Sequence, residues 1–581
     1  MKSIKILFSI MLAVVVLFSG GSTFAQDLSK INGDWEGNLQ AGGMNLKIVF
    51  HFTISGEVVS AKMDSPDQNA FGIIVDEVKI NGDAIRMDVK SIGGTYEGQF
   101  DNEENLIAGD WKQGTGSYKL DLSKMTETAK QEKKEFISLW EGILKISAVE
   151  LRLVLKIFEN EDKTLGALLD SPDQGAKDIP VSRFDIDDDS LNFEISSIGG
   201  SYLSKYNKDS VYYEGTWKQS GMSLPLNIKH VDRIDEAKRP QNPQKPYPYN
   251  EEEVTFENKS EGIKLTGTFT FPKSGGEYPA VVLVTGSGPQ DRDETIFSHK
   301  PFLVLSDYLT RNGIAVLRYD DRGIGQSTGD FSAATTVDFT SDAQSAIEYL
   351  RTRKEVNTNK IGIAGHSEGG LIAPMAASQS KDVKFIVMLA GPGVSGTQIL
   401  SLQSKLILKA MGATDEEIEK AAILNEKLYN IIISEPDNEK AKITIMTEYN
   451  NYYNALSDEE KQEPGTAPDM FEKNLVQLLS PWFRFFLAYD PQPTLEELTI
   501  PVLAINGGKD LQVDPNQNLP EIEKALKNAG NKNFKTIELP GLNHLFQHTE
   551  TGAISEYGQI EETMSPEVLK IISDWILNEV K

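Results

Sequence analysis

The feature that most restricts the fold of this chain is an internal duplication in its N-terminal part. Short motifs recur at an offset of about 106 residues, as from Ser91 to Ser197 and from Trp111 to Trp217. A repeat of this period indicates that a whole structural unit has been duplicated. The recurring motifs are Trp35-Glu36-Gly37 and Trp140-Glu141-Gly142, Asp64-Ser65-Pro66-Asp67-Gln68 and Asp170-Ser171-Pro172-Asp173-Gln174, Ser91-Ile92-Gly93-Gly94 and Ser197-Ile198-Gly199-Gly200, and Trp111-Lys112-Gln113 and Trp217-Lys218-Gln219.

Both copies alternate apolar and polar residues along short runs, as in Leu46–Phe52 and Leu151–Leu155. A period of two, with Gly, Asn and Asp between the runs, is typical of β-strands that bury one face. We therefore predict a tandem pair of small all-β domains, residues 26–125 and 136–235, each a barrel or a sandwich.

A proline-rich stretch separates the duplicated region from the rest of the chain. Pro240, Pro243, Pro246 and Pro248 lie among Gln, Asn, Lys and Tyr residues. Because this proline spacing favours an extended, semi-rigid backbone, residues 236–250 are predicted to be a linker. Several domains are expected in any case, since a chain of 581 residues exceeds the roughly 250–300 residues that one core supports.

The first 25 residues have the layout of a secretory signal. Lys2 and Lys5 precede the apolar run Ile6–Phe18, and small residues end the segment at Ala25. The alternative, a membrane anchor, needs about 20 apolar residues, and this run is shorter. We expect cleavage after Ala25, a secreted (periplasmic or extracellular) protein, and no membrane span in the mature chain. With no cysteine in the sequence, lipid attachment at cysteine and disulfide bonds are excluded.

After the linker, apolar runs alternate with helical segments. Ala280–Thr285, Ile314–Tyr319 and Lys360–Ala364 have the length of buried strands, and amphipathic segments separate them. Such alternation predicts a mostly parallel sheet with helices on both faces, formed by residues 251–581. Residues 394–498 interrupt the alternation and are rich in Leu, Lys, Glu and Ala, so they are predicted to be a helical lid inserted above the sheet.

The formal net charge of the chain is −28. A surface of this sign repels phosphate backbones, so nucleic acid is not an expected partner. No spacing of His, Asp or Glu indicates a metal site, and no cofactor is expected. The sequence does not indicate an oligomeric state.

The pattern Gly-x-Ser-x-Gly occurs twice, around Ser327 and around Ser367. A nucleophile elbow needs a strand, a sharp turn and then a helix. Ser367 follows the strand-like run Lys360–Ala364 and precedes the helical run Leu371–Ala377, whereas no helical run directly follows Ser327. Glycine permits the crowded turn, and the helix N-terminus stabilises negative charge. We therefore predict Ser367 as the nucleophile.

A serine hydroxyl needs a base that removes its proton. Where an elbow lies in such a sheet, the expected chain order is nucleophile, acid and histidine. Of the six histidines, only His544 and His548 follow the elbow. His544 lies in the loop just past the predicted strand 534–539, at the end of the sheet where Ser367 also lies, and is the predicted base.

The acid that orients the histidine should follow the preceding strand, 502–506. Asp510 lies in the loop directly after this strand and is the predicted acid. Asp514 is the alternative, but it precedes Pro515 and a helical segment, which is the pattern of an N-cap.

Two backbone N–H groups should stabilise the oxyanion that forms during acyl transfer. Glu368, directly after the nucleophile, is expected to supply one. Ser287, in the turn after Ala280–Thr285, is the candidate for the other. Trp482 and Phe483 are candidates for lining the substrate pocket, and the alternative is that they only pack the insertion onto the sheet.

From about residue 251 to its end, the chain resembles the α/β-hydrolase superfamily, its serine aminopeptidase-like group, and within that group the EstD-type carboxylesterases. The resemblance implies an α/β-hydrolase fold and hydrolysis of a small-molecule ester through an acyl-enzyme intermediate, without a cofactor. The residues that carry it are Gly286–Asp293, the turn Asp320–Ser327, the Ser367 elbow, Ser480–Arg484, Asp510 and His544.

Two other hypotheses stay open. The first is a different serine hydrolase, either an aminopeptidase-like serine peptidase or an acyl thioesterase. The second is a non-catalytic binding protein in which the β repeats do the binding. The set of Ser367, Asp510 and His544 favours a catalyst, but the sequence does not indicate the natural substrate or its acyl length.

Overall fold

The computed structural model describes residues 31–579 apart from short gaps. The predicted signal sequence, residues 1–25, lies outside the described residues. None of the described helices is long and apolar enough to cross a membrane. The residues that are not described are 1–30, 32, 42–43, 56–57, 66–69, 76, 82–83, 102–105, 114–115, 125–135, 147–148, 161–162, 173–175, 188, 220–221, 234–237, 462–465 and 580–581.

The duplicated region forms two antiparallel sheets. The strands of the first sheet are β1 (Gly33–Ala41), β2 (Met44–Ser55), β3 (Val58–Ser65), β4 (Ala70–Ile74), β5 (Glu77–Asn81), β6 (Ala84–Val89), β7 (Gly94–Asp101), β8 (Leu106–Gln113), β9 (Gly116–Lys119) and β10 (Leu122–Lys124). Those of the second are β11 (Phe136–Ile146), β12 (Val149–Glu159), β13 (Leu165–Ser171), β14 (Ala176–Pro180), β15 (Arg183–Ile186), β16 (Leu191–Ile195), β17 (Gly200–Asn207), β18 (Tyr212–Gln219) and β19 (Met222–Val231).

Corresponding strands occupy corresponding places in the two sheets. The first has the order β4-β3-β2-β1-β10-β8-β7-β6-β5, with β9 paired to β8, and the second has the order β14-β13-β12-β11-β19-β18-β17-β16-β15. Each sheet surrounds its own cluster of buried apolar side chains. The duplication seen in the sequence is therefore a duplication of one strand arrangement.

The same glycine–tryptophan contact recurs in both sheets. Gly94 lies against the ring of Trp111, and Gly200 lies against the ring of Trp217, so a Cβ at either glycine would overlap the indole. Each indole N–H donates to the glutamine side chain two residues later, at 3.3 and 3.2 Å. The shared motifs Ser-Ile-Gly-Gly and Trp-Lys-Gln thus specify one packing arrangement twice.

The predicted linker is bonded to the C-terminal region at its first described residues. Arg239 donates to three carbonyl oxygens there, at 2.8 to 3.1 Å. Gln241 donates to the Met564 carbonyl at 2.7 Å, and the buried Tyr249 donates to Asp307 at 2.9 Å. Side-chain hydrogen bonds therefore tie this segment to the C-terminal region. The carbonyls that Arg239 contacts belong to Phe297, Gly558 and Ile560.

The C-terminal region contains a mostly parallel sheet, as predicted. Its order is β20-β21-β23-β22-β24-β25-β26-β27, and β22 to β27 run parallel, while β20 and β21 are antiparallel. These strands are β20 (Asn250–Asn258), β21 (Ile263–Phe271), β22 (Tyr278–Val284), β23 (Ala315–Tyr319), β24 (Val356–His366), β25 (Phe385–Leu389), β26 (Val502–Gly507) and β27 (Phe534–Leu539).

Helices cover both faces of this sheet because its strands are apolar on both sides. In β22, Val282 belongs to one core together with Ala343 of α2, and Val281 belongs to the other together with Phe302 of α1. This alternation is the two-residue period of a strand. The covering helices are α1 (Pro301–Arg311), α2 (Thr336–Arg351), α3 (Gly369–Gln379), α11 (Pro515–Asn528), α12 (Ile554–Tyr557) and α13 (Pro566–Glu579).

The predicted insertion between β25 and β26 is helical. Its buried side chains, among them Tyr429, Phe471 and Trp482, join the same core as Leu371 of α3. The insertion therefore packs on the face of the sheet that carries α2 and α3. Its helices are α4 (Gly396–Ala410), α5 (Asp415–Ser434), α6 (Asn438–Ala455), α7 (Asp458–Lys461), α8 (Pro468–Leu478), α9 (Pro481–Ala488) and α10 (Gln492–Leu495).

Candidate active site

Four predicted site residues follow the carboxyl ends of parallel strands. Ser287 follows β22, Ser367 follows β24, Asp510 follows β26 and His544 follows β27. The strands β24, β25, β26 and β27 are consecutive neighbours, and β22 pairs with β24. Parallel strands end at the same edge of a sheet, so the fold gathers these loops at one edge.

The backbone at Ser367 has the strained geometry of a nucleophile elbow. Its φ is 52°, in the left-handed region that few residues other than glycine adopt. The Ser367 N–H donates to the Leu389 carbonyl of the adjacent strand at 2.8 Å, and α3 begins two residues later, at Gly369. The turn is therefore held by the sheet and leads directly into a helix N-terminus.

Glycine is required around the elbow because backbone segments touch there. A Cβ on Gly365 would overlap the carbonyl oxygen of Gly369, and a Cβ on Gly369 would overlap that of Val284. A Cβ on Gly370 would overlap Gly391 in the same way. The two glycines of the motif thus bring the start of α3 against the ends of β22 and β24.

Ser327, the alternative nucleophile, lies in a different environment. Its hydroxyl donates to the Asp320 carbonyl at 2.8 Å and accepts the Thr266 N–H at 2.9 Å. The side chain is buried, and Arg292 forms a two-point ion pair with Asp320 in the same turn. The hydroxyl of Ser327 is therefore used to close this turn.

His544 and Asp510 form a buried hydrogen-bonded pair. The Nδ1 of His544 lies 2.7 Å from Oδ2 of Asp510. The other carboxylate oxygen accepts the backbone N–H groups of Gln512 and Val513 at 2.8 and 2.9 Å. The carboxylate thus accepts the Nδ1 proton of the neutral imidazole, and Nε2 carries the lone pair that a general base needs.

The two alternatives, Asp514 and His548, have other partners. Asp514 accepts the Gln517 N–H at 2.9 Å as the N-cap of α11. His548 is exposed and lies 2.9 Å from Glu562. Both residues are therefore engaged away from the Asp510–His544 pair.

The candidate oxyanion donors are the backbone N–H groups of Ser287 and Glu368. Within the described part of the chain, neither N–H has a hydrogen-bond acceptor. The preceding N–H, that of Gly286, is already donated to Glu294 Oε1 at 2.9 Å. Gly286 also lies against the elbow, since a Cβ on it would be 3.2 Å from the Cβ of Ser367.

The side chain of Glu368 connects three parts of the domain. Its buried Oε1 accepts the Thr336 hydroxyl at the start of α2 at 2.7 Å and the Trp482 indole N–H of α9 at 2.8 Å. Burial raises the pKa of the Glu368 carboxyl, and hydrogen bonds from Thr336, Trp482 and Ser287 partly offset this rise. The insertion is thus bonded to the residue that follows Ser367.

Trp482 and Phe483, the predicted pocket residues, are both buried. Trp482 stacks on Phe486 with ring centroids 5.4 Å apart, and Phe483 contacts Tyr429 edge-on at 6.4 Å. The structure therefore brings Trp482 to the elbow through Glu368 and places Phe483 in the packing between α5 and α9.

Glu294 and His366 were not predicted from the sequence as site residues. His366 directly precedes the nucleophile, and its Nδ1 lies 2.9 Å from Oε1 of the buried Glu294. Its Nε2 lies 3.0 Å from the carbonyl oxygen of His544. The adjacent motif Gly286–Asp293 was the only sequence signal near Glu294, and no spacing rule links positions that are 72 residues apart.

In the residues that the structure describes, no group of three or more His, Cys, Asp or Glu side chains is placed to hold a metal ion. The ionisable groups of the site instead pair with one another and with backbone groups, as Asp510 and Glu294 do.

A mostly parallel sheet in this strand order, with an elbow at Ser367 and a paired Asp510 and His544 on the following strands, is the architecture of an α/β hydrolase. Comparisons with known proteins also indicate similarity to hydrolases of this fold. Residues 300–551 match the family model described as serine aminopeptidase, S33. The C-terminal region thus resembles the α/β hydrolases, and the chain is similar to esterase EstD.

Esterase EstD of Thermotoga maritima is 31% identical over 292 residues, which is 50% of this chain and 60% of EstD. An uncharacterised 31.7 kDa protein of Escherichia coli is 26% identical over 282 residues, 48% of this chain and 85% of that protein. Among solved structures, the Pyrococcus furiosus esterase Pf2001 has a TM-score of 0.35 and 14% identity, covering 60% of this chain and 100% of its own.

We predict that Asp510→Asn lowers kcat for a chromogenic ester by about 10⁴-fold, because an amide no longer holds His544 in the productive tautomer. Asp514→Asn is the matched control. It alters only the cap of α11 and should change the free energy of unfolding by less than about 1 kcal/mol, with kcat nearly unchanged. Equal losses of kcat in both variants would leave the acid unassigned, and a loss only in Asp514→Asn would show that the acid is not Asp510.

Proposed function

We propose that the protein is a carboxylesterase in which Ser367, His544 and Asp510 form the catalytic triad. The observation that carries the proposal is the convergence of a strained elbow serine and a carboxylate-bound histidine at one sheet edge. The resemblance to esterase EstD supports ester hydrolysis. The expected partner is a small-molecule ester, and no cofactor takes part in the proposed reaction.

The proposed reaction has two halves. In the first, Ser367 Oγ forms a bond to the acyl carbon while His544 Nε2 takes the hydroxyl proton, and that proton then passes to the departing alcohol. In the second, His544 takes a proton from water, whose oxygen forms a bond to the acyl carbon. His544 then returns this proton to Ser367 Oγ as the bond between Oγ and the acyl carbon breaks and the carboxylic acid is released. The N–H groups of Ser287 and Glu368 stabilise the oxyanion in both halves.

Aminopeptidase and thioesterase activities are the alternatives. An aminopeptidase needs a carboxylate that can bind the amine of its substrate. The two buried glutamates nearest the elbow accept hydrogen bonds from the protein itself, Glu368 from Trp482 and Glu294 from His366. This engagement favours the ester, and comparing kcat/KM for matched ester, thioester and aminoacyl substrates tests it.

The helices α4 to α10 are proposed to act as a lid. They enter the chain between β25 and β26, and β25 is the sheet neighbour of β24, which leads into the elbow. Trp482 of α9 is bonded to Glu368. A helical cover in this position would shield the bound acyl group from bulk solvent and form the wall of the acyl pocket. In this proposal Trp482 and Phe483 belong to that wall.

The two N-terminal sheets are proposed to be tandem domains of an exported protein. Each has its own core and the same strand order. The sequence of residues 1–25 supports export with cleavage after Ala25. N-terminal sequencing of the protein recovered from the exporting cell tests this, and a mature chain that still begins at Met1 would contradict it.

We predict that Ser367→Ala reduces turnover by about 10⁴-fold or more, since triad members act as a unit, and that it abolishes labelling by a fluorophosphonate probe. Ser327→Ala is the matched control. It removes two hydrogen bonds of a buried turn and should lower the Tm, while labelling and kcat stay close to those of the unaltered protein. Loss of labelling only in Ser327→Ala would show that Ser327, and not Ser367, is the nucleophile.

We predict that Trp482→Ala shifts the acyl preference toward longer chains, because it opens space beside the elbow. The ratio of kcat/KM for p-nitrophenyl laurate over acetate should rise by about tenfold or more. Trp482→Phe keeps an aromatic ring but removes the N–H bonded to Glu368, so it should retain the original preference. A uniform loss across all esters with a lower Tm would assign Trp482 to packing alone.

A further inference from the structure

The segment between β22 and α1 has unusual backbone geometry beside the elbow. Glu294, Phe297 and Ser298 have φ values of 52°, 49° and 63°. Such residues are strained and persist only where surrounding contacts impose their conformation. The contacts are present here, since the Phe297 carbonyl accepts Arg239 at 2.8 Å and the Ser298 hydroxyl donates to the Pro172 carbonyl at 3.0 Å.

Of these three residues, Glu294 is the one whose side chain contacts the residue before the elbow, His366. Its carboxylate is buried, and its Oε1 alone accepts both the Gly286 N–H and the His366 ring, each at 2.9 Å. The other oxygen, Oε2, has no hydrogen-bond partner among the described residues. A buried carboxylate oxygen without a partner is unfavourable for folding, so stability alone does not account for this arrangement.

His366 transmits the position of Glu294 to the catalytic histidine loop. Its Nδ1 contacts the Glu294 carboxylate, and its Nε2 contacts the carbonyl oxygen of His544. A carbonyl oxygen and an ionised carboxylate can only accept hydrogen bonds, so both contacts are hydrogen bonds when both ring nitrogens of His366 carry a proton. The geometry therefore fits an imidazolium paired with a carboxylate.

The charges around His366 support this protonation state. Burial acts to lower the pKa of His366, but the Glu294 carboxylate outweighs it, and Asp510 adds to the same effect, so the pKa is raised. The ring of His366 also packs against His544, with centroids 4.8 Å apart, and against Phe546 at 6.4 Å. The charged groups that face His366 are thus the two carboxylates, which stabilise its cation.

We propose that Glu294 is a positioning residue that fixes both halves of the active site at once, through Gly286 the oxyanion turn and through His366 the loop of His544. Three segments that are distant in sequence meet in this chain of contacts, namely the loop of Gly286 and Glu294, the residue His366 and the loop of His544. Gly286 donates its N–H to Glu294. The next N–H of that turn, that of Ser287, has no protein acceptor among the described residues. The proposal rests on the proposed esterase function.

The substitution Glu294→Gln tests the proposal with little change in shape. A glutamine oxygen can still accept the Gly286 N–H, but the side chain has no charge to stabilise an imidazolium. A neutral His366 has one N–H, so it cannot donate both to residue 294 and to the His544 carbonyl. Small displacements of catalytic groups lower the rate strongly, so kcat should fall by about 10- to 100-fold. KM should change by less than about twofold, because Glu294 acts on groups that stabilise the transition state.

Glu562→Gln is the matched control. Glu562 also pairs with a histidine at 2.9 Å, but this pair, with His548, is exposed. The control should leave kcat within about twofold of the unaltered protein. If Glu294→Gln is folded and its kcat also stays within that range, the proposal is overturned.

His366→Asn and the double variant complete the cycle. Both single substitutions break the same chain of contacts, so the double variant should lose no more activity than the more damaged single variant. Fully additive losses would show that the two residues act separately and would overturn the proposal. If Glu294→Gln does not fold, an unchanged kcat in His366→Asn overturns it by itself.

The pH dependence of stability gives a readout that does not need activity. A histidine whose pKa is raised on folding contributes stability that is complete below about pH 6.5 and is lost as the pH rises through its folded pKa. The free energy of unfolding of the unaltered protein minus that of Glu294→Gln should therefore be larger at about pH 6 than at about pH 9. A difference that does not vary with pH would contradict the ion pair.

These outcomes are distinguishable from a failure of the esterase function. If the unaltered protein neither reacts with a fluorophosphonate nor turns over esters, the proposed function fails while the pH-dependent stability can still be measured. If the unaltered protein is active and folded Glu294→Gln is equally active, only the positioning role fails.

Discussion

The hydrogen bond from the Ser367 N–H to the Leu389 carbonyl stabilises the tight turn between β24 and α3 in the C-terminal region. It fixes a serine at positive φ where a strand passes directly into a helix. The neighbouring backbones approach so closely that Gly365, Gly369 and Gly370 admit no side chain. Displacement of any one of these segments would therefore move the others, because a close-packed interior transmits strain.

Three buried carboxylates connect the loops around this turn. Asp510 joins its own loop to His544, and Glu368 joins the elbow to α2 and α9. Glu294 joins the turn that contains Gly286 to His366. Burying a carboxylate is costly unless hydrogen bonds compensate it. Hydrogen bonds to such a group are also stronger and more directional than neutral ones. Each of these carboxylates therefore connects segments that are distant in sequence.

The sequence was informative wherever a pattern is local. Apolar runs alternating with helices predicted the mostly parallel sheet, and the strand and the helix predicted on either side of Ser367 are present in the structure. Asp510 and His544 could be found because both lie just after a strand. Glu294, His366 and the bonds made by Arg239 could not, because they depend on side-chain pairs between distant segments. Such pairs leave no periodicity in the sequence.

The duplicated β region has a consequence for how the molecule can be studied. The Gly94–Trp111 and Gly200–Trp217 contacts are two copies of one arrangement within one polypeptide. Surrounding residues differ between the copies, for instance Phe50 where the second copy has Leu155 in the equivalent strand position. The sequences of the two copies can thus be aligned with each other, position by position. Positions that agree in both copies mark the requirements of the fold, and positions that differ mark where each copy is free to meet a separate demand.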